Sequence, residues 1–254
     1  MEVYDMTDFV VGRKEAIAFL SSFGENTEDL LILVAGARLT SRVGFDTFYF
    51  RKHITIPPNQ ISKEGEIGIS DLKKVIQFCK KCKADGVRFF QQELGKQLTV
   101  KCGGMSLKVP TMKTMNSYAK VPTIESVIMK TEENMFTLYK DTKIEGHGII
   151  DVSQLRAISG FKNFFTYPNF IVSLHPEEGE FFIKAGKQGT MQLTIDTVLF
   201  EAEGPNKRME SKFGRWLMDC SDLLDEGTAY AHMGENTFLF LTQEDNILVV
   251  KNEA

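Results

Sequence analysis

The sequence predicts an α+β protein of two similar domains, each built from antiparallel sheets and two helices. Three observations lead there. One unit, a short amphipathic helix followed by three strand candidates of about five residues, recurs four times. Clusters of Gly, Pro, Asn and Asp separate the strand candidates where hairpin turns are expected. A stretch of different texture, 111–146, divides the four units into two pairs.

In chain order, the first unit places a helix at 13–23, with Ile17, Leu20 and Phe23 on its apolar side, then strands at 30–35, 38–43 and 48–56. The second opens with a strand at 66–69 and a helix at 70–82. There Leu72, Val75, Ile76 and Cys79 recur at i, i+3, i+4 and i+7, and Ser70 is the expected N-cap. Strands follow at 87–92, 97–101 and 106–109. The third unit runs from a strand at 148–151 into a helix from Val152, then strands at 170–174, 180–185 and 191–195. The fourth has a helix at 213–224 with Phe213, Trp216, Leu217, Cys220 and Leu224 inward, then strands at 228–232, 237–241 and 247–251.

Three strands per helix favour antiparallel sheets with helices on one face. A repeat of roughly 55–70 residues is too long for a solenoid and suits duplicated half-domains. The expected boundaries are a first domain at 1–115, a connector at 116–146 and a second domain at 147–254. Within the connector, 118–123 is expected to be extended and 132–140 to form one or two helical turns.

Composition limits the function classes. The chain has 254 residues, 43% hydrophobic and 25% charged, enough for two ordinary cores. No apolar run approaches the roughly 18 residues of a membrane span, so no membrane association is expected. Residues 1–5 are acidic and lack an apolar signal core, which points to an intracellular protein. Four cysteines in so long a chain are not a disulfide framework and read as core residues of a reducing compartment.

The net charge is −4, yet every helix candidate carries basic residues. Lys73 and Lys80 are seven apart, as are Lys74 and Lys81, so each pair stacks away from the apolar stripe, with Lys83 just beyond. Arg13 and Lys14 open the first helix; Arg156 lies on the third, followed by Lys162. Lys212 and Arg215 belong to the fourth, with Lys207 and Arg208 upstream. The acids concentrate in turns and connectors, among them Glu177, Glu178, Glu201, Glu203, Asp225, Glu235 and Glu244. Two readings stay open: ordinary solvated helix faces, which Glu15, Asp219 and Asp222 favour, or a surface for a polyanion.

Catalytic signatures are missing. No Gly-x-x-x-x-Gly-Lys-Ser/Thr loop occurs, so no ATP hydrolysis by that route is expected. Cys79 and Cys82 have metal-pair spacing, but Cys79 belongs to the helix stripe and no second pair follows. His53, His147, His175 and His232 are isolated. Neither an enzyme nor a bound cofactor or metal is expected.

The run from Phe170-Ile171-Val172-Ser173-Leu174 through Gly179-Glu180-Phe181-Phe182-Ile183 and Gly186-Lys187-Gln188-Gly189 to Leu193 resembles the proliferating cell nuclear antigen family of DNA sliding clamps. Residues 37–46 and 227–250 are similar to the family's first-domain loop and final three strands. The chain departs from the pattern in three places. Val43-Gly44-Phe45-Asp46-Thr47 stands where the family has a methionine-aspartate loop, the tyrosine-leucine-alanine-proline ending is absent, and 129–146 is longer. This makes the chain a divergent member, with a viral or phage source as one reading.

The resemblance implies a non-enzymatic processivity factor that encircles duplex DNA as a homotrimeric ring, sheets outside and helices inside. It would be loaded by a separate ATPase and would tether a DNA polymerase at the site of replication. The helix cations named above would then contact phosphates without reading bases. Partner peptides would dock on the outer face of the first domain, between connector and neighbouring sheet. The matching residues are Val43 and Phe45, Val121, Pro122 and Ile124, and Val249 and Val250. A relative of the same fold acting as a monomeric or heteromeric processivity or checkpoint-type factor is the alternative.

Overall fold

Alternating apolar residues make the strands of this chain, and glycines or acidic turns end them. The computed structural model describes residues 6–23, 27, 29–44, 48–92, 97–110, 128–130, 136–139, 142–157, 160, 169–186, 192–198, 201–244 and 246–253. Two compact units emerge, Met1–Val43 with Arg51–Val121 and Gly44–Phe50 with Pro122–Ala254.

The first unit runs β1 (Thr7–Gly12), α1 (Arg13–Ser21), β2 (Leu30–Ala35), β3 (Arg38–Gly44) and β4 (Phe48–Thr55), whose first residues group with the second unit. It continues with β5 (Ile61–Lys63), β6 (Gly65–Ile69), α2 (Leu72–Lys81), β7 (Gly86–Gln91), β8 (Leu98–Cys102) and β9 (Met105–Val109). One antiparallel sheet has the order β5-β1-β7-β8-β9, and β4-β3-β2-β6 are neighbours in another.

The sequence reading overlooked β1, because Asp8 interrupts its apolar run. In the fold that carboxylate is buried and takes two bonds from the Arg88 guanidinium, at 2.8 and 2.5 Å. Directly beside it Phe9 stacks on its cross-strand partner Phe89, ring centroids 5.1 Å apart.

Both helices of this unit bury most of the expected stripe, with Ile17 and Ile76 only half-buried. Leu20 and Phe23 are buried with Ala16 and Phe19, and Leu72, Val75 and Cys79 are buried on α2. The cap of α2 differs from expectation. Asp71, not Ser70, accepts the Lys74 amide at 3.1 Å, a cap worth about 1 kcal/mol. Ser70 donates its hydroxyl to the Pro110 carbonyl instead.

The cysteines also depart from the reading. Cys82, at the C-cap of α2, and Cys102, closing β8, form a disulfide with their Cα atoms 6.1 Å apart. Twenty residues separate them in the chain, while the hairpin of β7 and β8 brings them together. Cys79 and Cys220 are buried free thiols, and burial pushes Cys79 up to about 11 and Cys220 higher still.

The second unit contains β10 (Ile128–Lys130), β11 (Phe136–Tyr139) and β12 (Thr142–Lys143), a small sheet where helical turns were expected. Then come β13 (Gly146–Asp151), α3 (Val152–Ala157), β14 (Phe170–His175), β15 (Glu180–Gly186), β16 (Gln192–Val198), β17 (Ala202–Glu203) and β18 (Met209–Phe213). The chain continues through α4 (Trp216–Cys220) with a 3-10 turn (Ser221–Leu223), β19 (Thr228–Met233), β20 (Leu239–Gln243) and β21 (Asn246–Val250). Strands β17-β13-β19-β20-β21 are successive neighbours, and β16-β15-β14-β18 form a second sheet. The β14–β15 turn has Gly179 at φ +65°, its amide bonded to the Pro176 carbonyl at 3.1 Å, as the Pro-Glu-Glu-Gly string implied.

The fourth predicted helix is the largest correction. Its first residue, Phe213, instead ends strand β18, which pairs with β14 and turns Met209, Ser211 and Phe213 inward at alternate positions. Helix begins only beyond Gly214, leaving α4 and its 3-10 turn to bury Leu217, Cys220 and Leu223.

With the chain denatured but unreduced, iodoacetamide should label two cysteines, Cys79 and Cys220, and all four after reduction. Four labels before reduction, read by intact mass, would remove the Cys82–Cys102 bond.

Candidate nucleic-acid interface

Helix α2 carries the densest charge. Lys73, Lys74, Lys80 and Lys81 are exposed around the buried stripe, and Lys83 is exposed just past the helix end. Lys74 reaches back to Asp71, Nζ to Oδ2 at 2.6 Å, and that hydrogen bond holds the Asp71 carboxyl below the usual carboxylate range. Lys73, Lys80, Lys81 and Lys83 form no ion pair among the described residues.

Helix α1 packs against α2 and begins immediately after β1. The Glu15 carboxylate accepts the Gly12 amide at 3.2 Å, which ties the one acidic group of this helix to its own N-terminus. Arg13 is half-buried; Lys14 is exposed and, among the described residues, without an ion pair.

The second-unit cations sit differently. Arg156 is half-buried and donates to the Leu224 carbonyl, with Glu226 at 4.0 Å. Lys207 pairs with Glu145 at 2.8 Å. Arg208 pairs with Glu180 at 2.7 Å and lies 5.1 Å from the Phe182 ring centroid. Lys212 is on β18, not on a helix, and lies 3.6 Å from Glu253. Carboxylates brought close by the fold, Glu145, Glu180 and Glu253, thus partly neutralise these basic residues. Arg215 is exposed with no ion pair among the described residues, and Lys162 lies outside the described residues.

A second surface comes from the sheet of the second unit. Directly paired residues share a face, so Glu203, His147, His232, Phe240 and Val249 form one row across five strands. Val249 and Phe240 pack with Ile144 and Ile247, and the half-buried Tyr49 and Phe238 lean on that cluster. Val250, one residue on, belongs to the opposite face and is fully buried, so it is excluded from any surface shared with Val249. Val43 is buried in the first unit; Phe45, Val121, Pro122 and Ile124 lie outside the described residues. Among the described residues no group of three His, Cys, Asp or Glu side chains could hold a metal ion. No described helix is long and apolar enough to cross a membrane.

No family model matches the sequence, and no curated protein matches it. Solved structures do. A PCNA of A. fulgidus, bound to the C-terminal region of FEN-1, is similar with a TM-score of 0.67 over 98% of both chains at 15% identity. A DNA polymerase sliding clamp from Caulobacter crescentus gives 0.69 at 11% identity, over 100% of this chain and 67% of that one. The fold is that of the sliding clamps. A putative DNA polymerase III beta subunit from Eubacterium rectale gives 0.72 at 10% identity, and this chain spans 66% of it. At such identities the likeness is one of fold, and it bears out the α+β clamp architecture expected from the resemblance.

Within the clamp fold, His232 is a pH reporter that sequence reading missed, since His147 and His232 are distant in the chain. Their rings lie 5.8 Å apart, and His147 sits 3.3 Å from Glu203. Burial, with a smaller contribution from His147, pulls His232 from 6.5 down to about 3. The folded state therefore stays unprotonated where the unfolded chain binds a proton. Stability should be unaffected above pH 6.5 and fall as pH drops from 6.5 towards 3. Between pH 6.5 and about 5 the loss should be roughly 1–2 kcal/mol, and His232→Gln should flatten it. Urea unfolding at several pH values checks this; an unchanged slope in the variant would assign the loss to other groups.

Proposed function

We propose that this protein is a non-enzymatic DNA sliding clamp that encircles duplex DNA and tethers a DNA polymerase. The observation that carries the reading is the exposed lysine surface of α2, with Lys14 of α1, in a clamp-fold chain of net charge −4. A basic helical face that makes only phosphate contacts holds DNA without stalling on any sequence. Loading requires a separate ATPase, and replication sites are where the protein acts. The two clamp domains are 1–115 and 147–254, with 116–146 as connector.

Edge strands support assembly as a homotrimeric ring. Strand β9 ends one sheet of the first unit. In the second unit β16 and β18 end the same sheet, but β18 is covered from within. Its Glu210 carbonyl accepts the Asn236 amide at 2.9 Å, its Glu210 amide donates to Glu235 at 3.0 Å, and the Lys212 carbonyl accepts the Glu253 amide at 2.7 Å. That leaves β16 as the edge to meet β9 of another copy, and a head-to-tail contact of this kind closes into a ring. Peptide partners dock beside the buried apolar cluster of Ile144, Phe240, Ile247 and Val249, where Tyr49 and Phe238 are half-buried.

Topology gives the deciding test. Loaded by its ATPase onto nicked circular DNA, the protein should stay bound through gel filtration and be lost when the circle is cut once. Equal loss from circle and linear DNA would reject encirclement. Light scattering should approach three copies as concentration rises or on loading, and a persistent monomer in both conditions would reject the ring. Phe45→Ala should abolish polymerase stimulation with the thermal midpoint unchanged; unfolding would mean that Phe45 seals the core.

A further inference from the structure

Cations differ between the two units in availability as well as in number. Helices α1 and α2 together hold six basic residues, Arg13, Lys14, Lys73, Lys74, Lys80 and Lys81, against one acidic residue, Glu15. The described helical segments of the second unit, α3 and α4 with its 3-10 turn, hold Arg156 against Asp219 and Asp222. Arg156 is committed to the Leu224 carbonyl, whereas Asp219 and Asp222 are exposed. Outside those segments, Lys207, Arg208 and Lys212 each face a carboxylate within 3.6 Å.

A lysine without an ion pair releases a counterion from DNA when it meets a phosphate. A cation already neutralised by a carboxylate must exchange one partner for another and adds little to the salt dependence. Geometry favours α2 as well. Lys73 and Lys80 stand about 10 Å apart along the helix axis, close to three base-pair steps of about 3.4 Å, so both can lie along one strand's phosphates.

We infer that duplex DNA is held by the first unit, through Lys73, Lys80, Lys81 and Lys83 with Lys14, and that the helical face of the second unit carries almost none of the phosphate contact. Among the described residues, Arg215 is its one contribution. This rests on the clamp reading and deepens it: in a ring, basic arcs would alternate with arcs that repel or ignore the backbone. Such an arrangement holds the duplex at separated points and leaves the rest of the wall wet.

Two triple variants test it on the full chain. A labelled 30-base-pair duplex of random sequence is titrated by fluorescence anisotropy over a range of potassium chloride, with circular dichroism melts as the control for folding. Lys73→Gln with Lys80→Gln and Lys81→Gln should reduce the slope of log affinity against log salt by about 2–3 units, near 0.9 per lost contact. Lys207→Gln with Arg208→Gln and Lys212→Gln should change it by less than about half a unit. Equal losses from both, or a larger loss from the second, would overturn the inference and leave the clamp reading standing. Absence of salt-dependent binding by the unaltered protein would overturn the inference, whereas the clamp reading stands or falls with retention on loaded circular DNA.

Discussion

Direct cross-strand pairing is the constraint on which the rest of the molecule depends. Because opposed residues in an antiparallel sheet share a face, a single register assigns each side chain either to the helix-covered core or to the far surface. In the second unit it sends Ala231, Leu241 and Leu248 to one side and His147, His232 and Phe240 to the other. A shift of one residue would exchange the two sets and turn the histidines to the face that now holds Ala231, Leu241 and Leu248. Helix placement is secondary to this: α1 and α3 begin where β1 and β13 stop, with no loop between.

Much of this was legible in the residues. Alternation marks β2 closely, because it buries one face and its pattern repeats every second residue, while β14 and β15 are marked by apolar runs between short turns. Failures came where two periods overlap. Met209–Phe213 supplies apolar residues that continue into Trp216 and Leu217 at helical spacing, and only pairing with β14 shows that the chain is extended up to Gly214. Asp8 concealed β1 because its partner Arg88 is eighty residues away. The same blindness to long-range contacts hid the Cys82–Cys102 bond and the His147–His232 pair. On the candidate surface, the sequence pattern located the lysines of α2 but could not see which other cations had carboxylate neighbours.

Those carboxylate neighbours matter for field more than for stability. A surface ion pair such as Lys207 with Glu145 or Arg208 with Glu180 contributes roughly 0–1 kcal/mol. Its larger effect is to cancel a charge within a few ångströms, well inside the Debye length of about 8 Å at physiological salt. A protein of net charge −4 can therefore present a concentrated positive surface on one pair of helices, while Arg88, Lys207, Arg208 and Lys212 elsewhere each have a carboxylate neighbour.

The unequal edges of the β16-β15-β14-β18 sheet impose a polarity. With β18 closed by the amides of Asn236 and Glu253, a strand that extends this sheet can add only beside β16. In the proposed ring, where β16 of one copy meets β9 of the next, each copy presents the same side as its neighbour. An assembly made this way has a front and a back, so proteins bound to it would travel along a duplex all pointing in one direction.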